Sequence, residues 1–91
     1  MITVDKHEVD DTTYGTFIKV AVTADSMEEL ESPEVFSKID KYLKSHNIYQ
    51  CGYTGVRDFV METKDGKLLN RGDNVSQEDI VFKAYYKYMT R

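Results

Sequence analysis

Hydrophobic and polar positions alternate along the first quarter of the chain with the period of β-structure. Ile2 and Val4 alternate with Thr3 and Asp5, which predicts a first strand over residues 1–9 with one buried face. After a polar run over 10–15, residues 16–24 carry the clearest alternation of all. Ile18, Val20, Val22 and Ala24 share one face, and Phe17, Lys19, Ala21 and Thr23 share the other. The link between the two segments is too short for a parallel crossover, so they form a hairpin.

The spacing then becomes helical. Ser26 followed by Glu29 matches a capping box and predicts one helical turn. Pro33 disfavours a helical Ser32, so a second helix starts there, with Ser32 as N-cap and Pro33 in the first turn. Val35, Phe36, Ile39, Tyr42 and Leu43 fall within an arc of about 120° at ~100° per residue, the width of a core-facing stripe. Lys38, Lys41 and Lys44 lie opposite, and Glu34 and Asp40 stand four residues before Lys38 and Lys44, the favourable order for helical ion pairs. Asn47 suits a left-handed stop. The predicted amphipathic helix therefore covers residues 32–47, and the wheel places His46 on its apolar face.

Gly52 and Gly55 mark residues 48–55 as a loop, and residues 56–63 follow as a strand. Asp65-Gly66 fits a tight hairpin turn returning through Leu68 and Leu69, with a second break at 71–74. The last segment satisfies two patterns. Ser76 with Asp79 resembles a helix cap, but Ile80, Phe82, Ala84, Tyr86 and Tyr88 alternate with Val81, Lys83, Tyr85, Lys87 and Met89. The density of β-branched and aromatic residues favours a strand. The expected fold is α+β: an antiparallel sheet of about four to five strands in β-β-α-β-β-β order, with one amphipathic helix packed on one face.

Composition narrows the class. Ninety-one residues support one core, so residues 1–91 form a single compact domain, and one proline leaves no disordered linker. No apolar run approaches the ~18–20 residues of a membrane span. The charged opening residues do not resemble a secretory signal, and Cys51 is the only cysteine; both lead us to expect a cytoplasmic protein. The Asn74-Val75-Ser76 sequon then carries no meaning, and Arg71-Gly72-Asp73 reads as a glycine turn rather than an adhesion motif. The net charge of −4 is uneven: residues 1–34 carry −7 and the remainder +3. Such asymmetry bears on partner choice.

No motif specifies a chemistry. Cys51 and His46 could pair as thiol and base, but no orienting carboxylate is identifiable and an inert thiol is the ordinary explanation. His7, Glu8, Asp10 and Asp11 crowd together, yet a strand turns His7 and Glu8 to opposite faces and no metal-ligand spacing is present. No catalytic residue, metal or cofactor is assigned. Two features point to binding. The acids from Asp25 to Glu34, with Asp10 and Asp11, form a negative set suited to a basic partner. Tyrosines interleaved with Lys83, Lys87 and Arg91 supply contact area with few rotors, or stacking platforms for bases.

The expectation is a small non-enzymatic protein-interaction module. In this reading it is a stoichiometric inhibitor or modulator of a host enzyme or defence system, of the kind viruses and mobile elements encode. Its contacts would be Asp10, Asp11, Glu28, Glu29, Glu31, Tyr85 and Tyr88. Single-stranded nucleic-acid binding through the last strand is the alternative, and a thiol enzyme using Cys51 is the second. A homodimer paired through the last strand as a sheet edge is a further expectation.

Overall fold

The computed structural model describes residues 1–69, 75 and 77–90. The predicted break at 71–74, the tripeptide Arg71-Gly72-Asp73, the sequon residues Asn74 and Ser76, and Arg91 lie outside the described residues.

Strands β1 (Thr3–Thr12) and β2 (Gly15–Ala24) form the expected hairpin. Helices α1 (Met27–Glu31) and α2 (Glu34–Ser45) follow, then β3 (Gln50–Thr63), a 3₁₀ turn at Gln77–Asp79 and β4 (Ile80–Thr90). The sheet order is β1-β2-β4-β3 with every neighbouring pair antiparallel. This is the α+β sheet-and-helix architecture that the patterning predicts, with the capping-box turn grown into a short helix of its own.

Ser26 accepts a hydrogen bond from the Glu29 amide at 3.3 Å and starts α1 as expected. Ser32 has the extended backbone that Pro33 demands, and Pro33 is helical. The Ser32 side chain does not cap α2, however. Its hydroxyl and its amide both donate to the Glu29 carbonyl, at 2.7 and 3.2 Å, and so close α1. At the other end of α2, Asn47 is left-handed (φ 59), with Ile48 N–H on the Leu43 carbonyl at 2.8 Å and Asn47 N–H on the Lys44 carbonyl at 3.0 Å. This is a Schellman stop, and it brings Ile48 back against the core.

The core lies between the helices and one face of the sheet. Ile18, Val20, Val22 and Ala24 from β2 and Ala84, Tyr86 and Tyr88 from β4 meet Leu30, Val35, Ile39 and Leu43. Tyr86 is fully enclosed, and its hydroxyl donates to the Leu30 carbonyl at 2.7 Å. The ion pairs Glu34–Lys38 (3.9 Å) and Asp40–Lys44 (3.0 Å) form as predicted, but Lys38 does not simply face water. Its ammonium also donates to the Ile2 carbonyl at 3.1 Å and ties the N-terminal segment to α2.

Three further expectations are corrected. Residues 50–55 belong to β3 rather than a loop, because the glycines act as bulges. Between Tyr53↔Tyr88 and Arg57↔Tyr86, β3 advances four residues while β4 advances two, and Gly55 supplies the left-handed backbone (φ 85) at the kink. The Asp65-Gly66 turn forms, with Gly66 N–H on the Thr63 carbonyl at 2.9 Å, but among the described residues its return is a single bridge, Glu62↔Leu68, in place of a fifth strand. Finally, β4 is interior, paired with β2 and β3, so it offers no edge for a homodimer. The true edges are guarded: β1 carries a bulge at Asp5 and a row of charges, and the Leu68–Leu69 return covers the end of β3.

Candidate functional site

The helices leave one face of the sheet open, and strand alternation decides what that face displays. With Val20, Val22, Ala84, Tyr86 and Tyr88 under the helices, the intervening residues turn outward. Lys6, Ala21, Tyr85 and Asp58 make one row across the four strands. Glu8, Lys19 and Lys87 make the next row, and Asp10, Phe17 and Met89 the one beyond. On the other side of Tyr85, Thr23, Lys83 and Val60 continue the pattern.

Tyr85 stands at the centre of this face. Its neighbour Ala21 is too small to cover the ring, and a hollow of about 40 Å³ opens between Lys6, Glu8, Lys19, Ala21 and Tyr85. A larger hollow of about 150 Å³ is lined by Asp10, Lys19, Val56, Asp58, Tyr85 and Lys87. The Lys19 ammonium lies 5.0 Å from the Tyr85 ring centroid, and the Lys87 ammonium 4.6 Å from that of Phe17.

Charge on the face is zoned by strand. Lysines occupy the central strands, and carboxylates dominate the outer ones. Lys87 pairs with Asp10 at 3.5 Å, Lys83 with Glu62 at 3.2 Å and Lys6 with Glu8 at 3.7 Å. Lys19 and Lys87 are directly opposite each other, a like-charge placement that costs stability. Exposed pairs contribute about 0–1 kcal/mol each and exposed cation–π contacts about 0.5–1 kcal/mol. These increments are too small for the lysine row to be explained as a device for holding the fold.

The predicted contact residues do not form one surface. Tyr85 and Tyr88 are three residues apart on a strand and so face opposite ways. Tyr88 is 4 % exposed, with its ring 5.3 Å from that of Tyr53 in the core, and it drops out of the candidate surface. Burial raises the phenol pKa of both Tyr88 and Tyr86. Asp10 and Asp11 also diverge: Asp10 joins the open face, whereas Asp11 turns to the helix side and accepts from the Thr16 hydroxyl at 2.9 Å. Glu28 and Glu31 are exposed on α1, near the Thr3 end of β1, while Asp11 is eight residues along that strand, ~27 Å away at the usual rise. Glu29 turns inward to the Met1 ammonium at 2.9 Å and the Asp25 amide at 3.1 Å. The acidic set thus divides between two ends of the molecule.

His46 is likewise not on the apolar face. The helix stops at this residue (φ −101, ψ 13), so the wheel no longer applies and the ring is exposed. Cys51 is also exposed, and among the described residues no hydrogen bond joins it to a base. Phe17, Lys19 and Asp58 were absent from the predicted contact set. The alternation of residues 16–24 held the signal for the first two, since it placed them opposite the core face.

Among the described residues no helix is long and apolar enough to cross a membrane, and no group of three or more His, Cys, Asp or Glu side chains is placed to hold a metal ion. Set against protein-family models, curated proteins and solved structures, the chain has no match in any of the three.

Proposed function

We propose that this chain is a non-enzymatic protein-interaction module, acting as a stoichiometric modulator of its partner, and that the open sheet face around Tyr85 is its contact surface. The observation that carries the reading is the half-buried Tyr85 between two hollows at the centre of an uncovered sheet. A rigid aromatic residue among alternating charges is the usual make-up of an interface anchor with a polar rim. The acids on β1 and β3 and the lysines on β2 and β4 would select a partner whose charges are zoned in the complementary order.

Single-stranded nucleic acid is the rival occupant, since Tyr85 and Phe17 lie among lysines on adjacent strands. Charge balance argues against it. Lys6, Lys19, Lys83 and Lys87 share the face with Glu8, Asp10, Asp58 and Glu62, which leaves no net positive field to release counterions from phosphates.

The test compares three immobilised proteins for capture from cell lysate: wild type, Tyr85→Ala, and a Glu28→Lys/Glu31→Lys control. A protein retained by wild type and by the control but lost with Tyr85→Ala supports the reading. Capture that survives Tyr85→Ala, or salt-dependent binding of single-stranded DNA or RNA in a fluorescence titration, contradicts it.

A further inference from the structure

The chain has two histidines, and the fold brings them together on the helix side, away from the open face. His7 comes from the edge strand β1, and His46 is the residue that ends α2; their ring centroids are 5.2 Å apart. Tyr42, one helical turn before His46, engages both. Its hydroxyl lies 2.9 Å from His7 Nδ1, and its backbone carbonyl accepts from His46 Nδ1 at 2.9 Å. The Ser45 hydroxyl adds a second contact to His46 Nδ1 at 3.1 Å. Among the described residues neither Nε2 has a hydrogen-bond partner in the protein.

Metal-binding imidazoles are prepared in this way: one nitrogen donates its proton to a neighbouring oxygen, and the other keeps a lone pair for the ion. At His46 the acceptor is a carbonyl, which fixes the proton on Nδ1 and the lone pair on Nε2. The Tyr42 hydroxyl can accept as well as donate, so His7 adopts the same tautomer when Nδ1–H donates to it. The separation also fits. Two imidazoles bound through Nε2 to one tetrahedral ion at ~2.1 Å hold their ring centroids about 5.3 Å apart.

We propose that His7 and His46 form a two-point site for a borderline divalent transition metal, Zn²⁺ or Ni²⁺, with water completing the coordination sphere. Imidazole nitrogens select such ions over the harder Mg²⁺ and Ca²⁺. Because one ligand lies on β1 and the other ends α2, the ion ties the edge strand to the helix. It binds the folded chain in preference to the unfolded one and raises its stability. Tyr42 is a positioning residue: it orients both rings and does not touch the ion.

Calorimetric titration with zinc chloride near neutral pH, paired with melting temperatures with and without the metal, tests the site. Wild type and Cys51→Ser are expected to take up one equivalent and to melt at a higher temperature with zinc. His46→Ala and His7→Ala are expected to lose both responses. His46→Ala removes an exposed ring and leaves the core as it is, so it remains informative if His7→Ala folds poorly. Tyr42→Phe is expected to bind ~10-fold or more weakly, as loss of an outer-shell partner does, while still responding to zinc. The proposal fails if wild type takes up no zinc at millimolar concentration, if His46→Ala keeps its affinity, or if Cys51→Ser loses it.

Discussion

Replacing Tyr86 with phenylalanine removes one atom from the largest fully buried side chain of the core. The ring is fully buried between Phe36 on α2 and Tyr53 on β3, with centroids at 5.7 and 6.1 Å, and the substitution leaves that packing in place. What is lost is the hydrogen bond from the phenol to the Leu30 carbonyl at 2.7 Å. Leu30 is the next-to-last residue of α1, a helix of five residues too short to hold its own shape, and its carbonyl is left without that donor. A buried carbonyl deprived of its partner costs about 1–3 kcal/mol, and the slightly more apolar phenylalanine offsets part of this, so we expect a net loss of ~1.5 kcal/mol. For a domain of this size that corresponds to a fall in Tm of about 6–12 °C. Urea denaturation followed by circular dichroism measures it, and the m-value is expected to stay unchanged because the buried surface does. Hydrogen exchange adds a local readout: the Ser32 amide, bonded to Glu29 at the end of α1, is expected to lose protection before the sheet does. A stability within ~0.3 kcal/mol of wild type, with α1 equally protected, would refute the assignment of this bond as the clasp of α1.

Burial raises the phenol pKa of Tyr86 and Tyr88, so both stay neutral in the folded chain at a pH where the unfolded chain has begun to ionise. Their contribution is complete below the ordinary value of 10 and declines above it, by up to about 1.4 kcal/mol per pH unit for each phenol. An alkaline titration of tyrosinate absorbance should show at least two of the seven tyrosines ionising only as circular dichroism reports unfolding; seven ionising ahead of unfolding would contradict it. At the left-handed Asn47, valine is expected to cost about 1–2 kcal/mol and glycine to be neutral or mildly stabilising, both read from urea midpoints. Equal effects of the two would show that the backbone of this stop does not govern its stability.

The elements legible in the sequence were those in which local and long-range preferences agree. Helix α2 had proline, apolar arc, charge order and Asn47 pointing the same way. β4 was legible because β-branched and aromatic residues outweighed a competing helical pattern. Residues 50–55 misled because a glycine signals a break in the chain's local preference, and a loop and a bulged strand break it alike; only pairing with β4 distinguishes them. His46 misled because a helical wheel assumes that the helix continues, and the Schellman stop ends it there. At the candidate surface, strand parity by itself separates Tyr88 from Tyr85, because the alternation over residues 80–89 puts them on opposite faces. The acids near Asp25 and those at Asp10 and Asp11 share only their charge sign. Their separation follows from the length of β1, a consequence of the hairpin rather than of any single residue.

Site-specific photocrosslinking tests the contact surface most directly. A photoreactive phenylalanine is placed at position 85 on the open face in one protein and at position 41, on the exposed side of α2, in another. Both are irradiated in the lysate of the native host. An interface centred on Tyr85 predicts one protein crosslinked in quantity at position 85 and not at position 41. A partner that crosslinks at 41 and is absent at 85 would contradict it and move the interface to the helices.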